Sequence, residues 1–254
     1  MNLNLNNPIM ERKTKTVYKD GDKTIKLFVE NYSKADILNE ALNQARVEEG
    51  TDLSIPKLIE VSKLENNRWA LVSEHIEGTP LDKLMESNPE KEDEYLNKFV
   101  DIQLEILGHT VPLLNRIKEK YNRKINAVQN INENVKYELL QRLDGMENHS
   151  KLCHGDYNPS NVIIKEDGSY AIIDWAHVTQ GNASADCAKT FLLFSMDEKE
   201  ELANKYMKLF SEKSGIEISN IQRWIPIVAA SQMSKANNEE IEFLSKWIDV
   251  VDYE

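Results

Sequence analysis

The hydrophobic pattern of the chain changes its period once, near residue 76, and that change constrains the fold more than any other feature. Ahead of it, strand signals dominate. Thr16–Tyr18 and Thr24–Val29 flank Asp20-Gly21-Asp22, turn residues that suit a hairpin. Ser33 then starts a helical pattern, with Ile37, Leu38, Ala41, Leu42 and Ala45 at helical spacing and Gly50 placed to end it. Leu58–Leu64 and Trp69–Glu74 read as two more strands, turning at Asn66-Asn67. The order β-β-α-β-β predicts a small sheet with one helix laid across it. Beyond Gly78 the pattern is helical. Thr79 reads as a helix cap with Pro80 at the first helical position. Leu96, Phe99, Val100, Gln103, Leu104 and Leu107 mark a long amphipathic helix, and further helical segments run near 112–127, 133–147 and from Ala183 onward. One stretch breaks the helical half. Asn161–Ile164 and Ala171–Ile173, joined by Glu166-Asp167-Gly168, read as a hairpin.

Charge and cysteine content narrow the class. The 254 residues carry 43 acidic and 31 basic side chains, a formal net charge of −12. That balance repels phosphate backbones and disfavours nucleic acid as a partner. It favours a cationic ligand, although an acidic surface also serves solubility alone. Cys153 and Cys187 are too few for a disulfide framework or a paired-cysteine metal site, and fit a reducing compartment. The opening MNLNLNNPIMERK lacks the apolar core of a signal peptide, and no run of about 18 apolar residues is present to span a membrane. The expectation is a cytoplasmic protein with no membrane partner; the sequence leaves the oligomeric state open.

The chemistry concentrates in LCHGDYNPSNVIIKEDGSYAIIDW, residues 152–175. Asp156 sits in a loop, Asn161 follows five residues later at the mouth of the hairpin, and Asp174 stands at its far end. Taken singly these are ordinary turn residues. Together, an Asp followed five positions on by an Asn has the spacing of a kinase catalytic loop. Phosphoryl transfer needs a carboxylate to orient the attacking hydroxyl and oxygen ligands that hold Mg²⁺ against the phosphates. Hard Mg²⁺ prefers such oxygens to sulfur or imidazole. A hairpin brings its ends together, so Asn161 and Asp174 can share a metal across thirteen residues.

With HGDYNPSN matching each fixed position of an HGDxxxxN loop, the sequence resembles the aminoglycoside phosphotransferase and choline kinase-like superfamily. The IIDW that follows and GNASADCAKTFLL beyond it resemble further family segments. The resemblance implies an α+β, two-lobed protein kinase-like fold. Residues 1–76 would form a nucleotide-binding lobe, a small antiparallel sheet with one helix. Residues 77–254 would form a larger, mainly helical lobe for catalysis and substrate binding. It also implies Asp156 as catalytic base and Asn161 and Asp174 as Mg²⁺ ligands. His154 would shape the catalytic loop, and Asp186 would brace it through hydrogen bonds.

Upstream, Lys26 lies inside the apolar strand TIKLF, an unusual place for a charge. Kinases place a lysine there to hold the α- and β-phosphates, tethered by a helix glutamate, for which Glu40 is the candidate. Glu48 and Glu49 crowd the helix end and suit the role less well. LVSEHIEGTPL resembles the hinge of the family, whose backbone near Glu74, His75 and Ile76 would bond the adenine of ATP. The phosphate-covering stretch departs from the kinase pattern, since IMERKTKTVY contains no glycine. Lys13, Thr14, Lys15 and Thr16 offer charge and hydroxyl donors in its place.

The sequence therefore predicts an ATP- and Mg²⁺-dependent phosphotransferase acting on a hydroxyl of an aminoglycoside-, choline- or sugar-like molecule, with a cationic one favoured by charge. The alternative is a catalytically weak nucleotide-binding pseudokinase or scaffold. Intact Asp156, Asn161 and Asp174 argue against it, and the glycine-free stretch argues for it. Glu198, Glu200, Glu201, Glu239, Glu240, Glu242, Asp249 and Asp252 near the C-terminus would suit an ammonium group if they faced the substrate; most read as solvated helix faces. RWIPIVAASQMS, residues 223–234, reads as a helix packed beneath the site, with Trp224 either in the core or against a cation.

Overall fold

The computed structural model describes residues 3–129 and 131–248. In chain order the first elements are β1 (Pro8–Glu11), β2 (Lys15–Asp20), β3 (Lys23–Phe28), α1 (Lys34–Gly50), β4 (Leu58–Lys63) and β5 (Trp69–Glu74). Next come β6 (Thr79–Pro80), α2 (Leu81–Ser87), α3 (Glu92–Gly108), α4 (Ile117–Ala127) and α5 (Glu133–Gly145). They are followed by β7 (Lys151–Cys153), β8 (Val162–Ile164), β9 (Tyr170–Ile172) and β10 (Thr179–Gly181). Five helices complete the described chain: α6 (Ala183–Met196), α7 (Glu200–Ser214), α8 (Ile218–Gln222), α9 (Ile225–Met233) and α10 (Asn238–Ser245). The fold is α+β, and the chain forms two compact units, Met1–Ser87 with Pro159–His177 and Asn88–Asn158 with Val178–Glu254.

In the first unit the antiparallel sheet runs β1-β2-β3-β5-β4. Strand alternation sends Ile25 and Leu27 to one face, where they pack with Ala70 and Val72. Phe28 points to the other face and joins Leu71, Ile37 and Ala41 under α1. Ser33 caps α1 by accepting the Asp36 N–H at 3.2 Å, as its position ahead of the helical pattern suggests. The predicted β-β-α-β-β order is present, with one strand added at its start. β1 pairs with β2 at the sheet edge, and its exposed, polar-flanked PIME carries no alternation to reveal it.

The second sheet of this unit corrects the reading of Thr79 and Pro80. These residues are a strand, not a cap and first helical turn. Thr79 pairs with Ile164 and Pro80 with Ile163, beside the predicted hairpin of β8 and β9. Proline is tolerated there because the pairing is at a sheet edge and only two residues long. Gly78 makes the approach possible. It sits at φ +147, and a Cβ on it would lie 2.5 Å from the Ile164 carbonyl oxygen.

The second unit is helical apart from β7 paired with β10. On α3, Leu96, Phe99, Val100, Gln103 and Leu107 are buried, the stripe that the helical period predicts. Residues 112–116 of the expected 112–127 segment lie outside α4, which starts at Ile117. The α9 helix is buried nearly all round, Trp224 beside it included. Tyr121 packs against the Trp224 ring at 6.4 Å, which fixes Trp224 as core. No helix among the described residues is long and apolar enough to cross a membrane.

Gly78→Ala is expected to lower unfolding free energy by about 2 kcal/mol or more, from backbone strain plus a clash with β8. Gly21→Ala, at φ +60 with nothing near its Cβ, should cost only about 1 kcal/mol. Urea unfolding of the two variants measures the difference.

Candidate active site

In the first unit, strand period and helix period together build a cluster of charges. Lys26 alternates with Ile25 and Leu27, so its side chain goes to the face covered by α1. β3 is an interior strand, paired with β2 on one side and β5 on the other, rather than a solvent edge. Glu40 lies three residues beyond Ile37 and one before Ala41, both packed on that face, so it is buried with them. Lys26 Nζ donates to Glu40 Oε1 at 2.6 Å and to Asp174 Oδ1 at 3.0 Å. Lys15, at the start of β2, donates to Asp174 Oδ2 at 3.3 Å and lies 3.9 Å from Glu40 Oε1. Its place in this cluster is not legible beyond its membership of a basic run.

Paired charges decide the ionisation. Burial alone would push the Lys26 ammonium down, but the carboxylates of Asp174 and Glu40 outweigh it and hold Lys26 above the usual lysine range. Burial would likewise raise Asp174; Lys26 and Lys15 reverse that and keep its carboxyl well below the usual carboxylate range. Asp174 is ionised. It also sits at φ +63, in the left-handed region, so the backbone is bent where the carboxylate is presented.

Asn161 joins it through the hairpin. Val162 pairs with Ile172, and the Ile173 N–H donates to the Asn161 carbonyl at 3.0 Å, which sets Asn161 and Asp174 at one end of β8 and β9. At the end of β5, the N–H of Glu74 goes to the Lys57 carbonyl and that of His75 to the Asp22 carbonyl. Glu48 serves elsewhere, accepting the Leu58 N–H at 2.9 Å.

Asp156 belongs to the second unit, in a loop that buried groups hold on both sides. Gly155 takes φ +76 and donates its N–H to Asp186 Oδ1 at 2.8 Å. Gln103 donates to the other oxygen at 3.1 Å, and its own Oε1 accepts the Tyr206 hydroxyl at 2.5 Å. Tyr157 stacks on Phe99 with ring centroids 4.3 Å apart; its hydroxyl donates to the Phe99 carbonyl and its own carbonyl accepts Thr190 Oγ1, each at 2.7 Å. His154 is fully buried. Asp186 does brace the loop by hydrogen bonds, and burial raises its carboxyl above the ordinary range against the pull of the Gly155 N–H.

Facing Asp156 within this unit are Lys120 and Lys124, one turn apart on α4, and Lys189, one turn after Asp186 on α6; all three are half-buried and feel the Asp156 charge. No local sequence signal marks this group, because its lysines come from separate helices. The C-terminal acids stand mostly on solvent. Glu198, Glu200, Glu201, Glu239 and Glu242 are exposed, Glu240 completes the capping box of α10, and Asp249 and Asp252 lie outside the described residues. Both cysteines are buried and free.

Asp186→Ala is expected to cost about 1–3 kcal/mol for each donor it orphans, Gly155 N–H and Gln103 Nε2. Denaturant titration reads the loss; an unchanged midpoint would show that the loop does not depend on this carboxylate.

Solved structures share the fold. Aminoglycoside-3'-phosphotransferase of type VIII is 14% identical with TM-score 0.66, over 87% of this chain and 88% of that one. A thermostable mutant of aminoglycoside phosphotransferase APH(4)-Ia, in ternary complex with ADP and hygromycin B, is 10% identical with TM-score 0.70, over 95% and 89%. An aminoglycoside phosphotransferase from Streptomyces rimosus, in complex with ADP and streptomycin, is 16% identical with TM-score 0.61, over 87% and 91%. No curated protein matches the chain in sequence. A family model described as the phosphotransferase enzyme family matches residues 19–217. With most of its length inside that match, the chain belongs to the phosphotransferase enzyme family.

Proposed function

We propose that the protein transfers the γ-phosphate of ATP to a hydroxyl of a small molecule, in the cytoplasm. The observation that carries this reading is the Lys26–Glu40–Asp174 cluster, which joins a strand lysine, a helix glutamate and a hairpin-end aspartate. A lysine held cationic by a buried glutamate suits the α- and β-phosphates of a nucleotide. Residues 1–76 supply this grip, with Lys26 tethered by Glu40 and the adenine bonded by backbone at Glu74 and Ile76. The Ile76 N–H has no backbone partner among the described residues, which leaves it open to such a bond. Residues 77–254 supply the catalytic residue and the acceptor site.

The donors suit Mg²⁺. Asn161 offers an amide oxygen and Asp174 an ionised carboxylate, the hard oxygens this ion prefers. Among the described residues no group of three His, Cys, Asp or Glu side chains could enclose a metal. That agrees with an ion that is held by one or two protein ligands and completed by phosphate and water oxygens. When bound there, Mg²⁺ would neutralise charge on the phosphates. Asp156 would orient the acceptor hydroxyl and take its proton on a carboxylate oxygen. The hydroxyl oxygen then forms a bond to the γ-phosphorus as the bond to the bridging oxygen breaks and ADP leaves. By family the acceptor is aminoglycoside-, choline- or sugar-like.

A second reading, a weakly active nucleotide-binding pseudokinase, is favoured by the connection between β1 and β2. It is three residues long, Arg12 to Thr14, closed by the Arg12 N–H on the Lys15 carbonyl at 2.9 Å, with no glycine to wrap phosphates.

Turnover of ATP with Mg²⁺ against aminoglycosides, choline, sugars and hydroxy acids separates the two. Asp156→Ala is expected to keep ATP affinity while turnover falls about 10²- to 10⁴-fold, and Asp174→Ala is expected to lose the Mg²⁺ dependence of binding. Near-normal turnover in Asp156→Ala would remove Asp156 from the mechanism. Absence of ATP binding by calorimetry would favour the pseudokinase.

A further inference from the structure

The first unit holds one cation more than a nucleotide lysine and its tether require. Lys26, bonded to Glu40, already fills the place of a phosphate-holding lysine. Lys15 reaches the same two carboxylates from the neighbouring strand. Strand register explains how. Lys15 pairs with Phe28 across β2 and β3, and paired residues share a face, so it points to the side where Phe28 packs under α1. Thr16, paired with Leu27, points to the opposite side, while Lys13 and Thr14 are exposed in the connection. Of the run from Lys13 to Thr16, Lys15 alone enters the cluster.

Charge balance gives its presence a meaning. Lys26 contacts both Glu40 and Asp174, so without Lys15 one ammonium would face two carboxylates and leave one negative charge in excess. Lys15 supplies the missing positive charge at the carboxylate assigned to Mg²⁺. Asp174 Oδ1 accepts from Lys26 at 3.0 Å and Oδ2 from Lys15 at 3.3 Å. Both oxygens thus face ammoniums, and a free divalent cation would meet repulsion from two sides.

One lysine has to give way before a metal can take its place, and the geometry distinguishes them. Lys26 is held at 2.6 and 3.0 Å from the interior strand β3. Lys15 makes one longer contact, lies 3.9 Å from Glu40 Oε1 and keeps 18% of its side chain exposed. It is the first residue of β2, directly after the connection that kinases use to cover phosphates. Here that connection is short and tied at both ends. The Arg12 N–H donates to the Lys15 carbonyl at 2.9 Å, and the Val29 N–H to the Thr14 carbonyl at 3.0 Å. Three residues so fixed, with no glycine, cannot fold their N–H groups around a triphosphate. A long lysine side chain at their end can reach one.

We propose that Lys15 is an exchangeable counterion, which holds Asp174 in the absence of nucleotide and passes to the phosphates when ATP binds with Mg²⁺. Its ammonium takes the place of the missing glycine loop, and its departure frees Asp174 Oδ2 for the metal. The cluster therefore admits Mg²⁺ together with a nucleotide and resists the ion alone. Once ADP has left, Lys15 closes on Asp174 again. This role rests on the nucleotide reading above and concerns the first unit alone.

Calorimetry on the full chain tests it, because the two halves of the role predict opposite changes. In Lys15→Met, Mg²⁺ without nucleotide should bind about tenfold or more tighter than in wild type, since Asp174 is relieved of one ammonium. ADP with Mg²⁺ should bind about tenfold or more weaker, since a phosphate contact is lost. Lys15→Arg keeps the charge and should retain most of the nucleotide affinity. Lys63→Met, which removes an exposed charge from the edge strand β4, should move neither quantity. Unchanged affinity for either partner in Lys15→Met overturns the proposal. A fall in both affinities overturns it too, because it would make Lys15 a structural ion-pair member only. Wild type provides a measurement that needs no variant: Mg²⁺ alone binding as tightly as it does with ADP present also overturns it. A wild-type protein that binds no nucleotide, with or without Mg²⁺, removes the nucleotide reading itself and the role of Lys15 with it.

Discussion

Three charges drawn from residues 26, 40 and 174 set the terms for the first unit. Lys26 and Glu40 are largely withdrawn from water, and a buried charge left alone is far more costly than one that is paired. Each partner therefore depends on the others being in register. The pairing of β3 with β2 and β5 must put Lys26 on the helix face, and the rotation of α1 must turn Glu40 inward beside Ile37 and Ala41. The β8 and β9 hairpin must end where Asp174 can meet Lys26 at 3.0 Å. A slip of one residue in β3 would send Lys26 into the cluster of Ala70 and Val72 and leave Glu40 facing an apolar side chain. The left-handed backbone at Asp174 belongs to the same constraint: an unfavourable conformation is held where two ammoniums fix the carboxylate.

The second unit holds its loop by a hydrogen-bond network around one buried carboxylate rather than by ion pairs. Its loop at His154–Tyr157 cannot rely on a ladder, so side chains from α3, α6 and α7 satisfy it. Asp186, Gln103 and Tyr206 form a chain of donors and acceptors in which each member fixes the orientation of the next. Aromatic packing of Tyr157 on Phe99 carries the apolar share. A loop so held presents Asp156 with little freedom, which is what the role proposed for it, meeting a hydroxyl in one geometry, would require.

What the sequence revealed follows from which signals are local. The charge of Lys26 inside an apolar strand, the helical stripe around Glu40, and the turn residues between β8 and β9 all act within a few positions, and each was legible. The short β1 was not, because four exposed residues have no alternation to detect. Thr79-Pro80 carried a good local signal for a helix start, yet pairing with β8 decided otherwise, a tertiary effect on a two-residue segment. The lysines facing Asp156 were the least legible. Lys120 and Lys124 are ordinary residues of an amphipathic helix, and only the packing of α4 and α6 on α9 brings them beside Lys189.

That last case bears on how charge should be read. A net charge of −12 is a sum over the whole surface, and here its excess stands on outward faces such as Glu200, Glu201 and Glu239. Exposed charges are screened within about 8–10 Å at moderate salt, so they steer approach but contribute little to contact. Half-buried lysines are screened far less, and their influence is largest at the group they face. The sign of the total and the sign at Asp156 can therefore differ without conflict. Asp174 illustrates the same rule in reverse: inside an acidic protein it is governed by two neighbouring ammoniums rather than by the sum. For a bound molecule, the few charges within contact distance decide which chemistry is accepted.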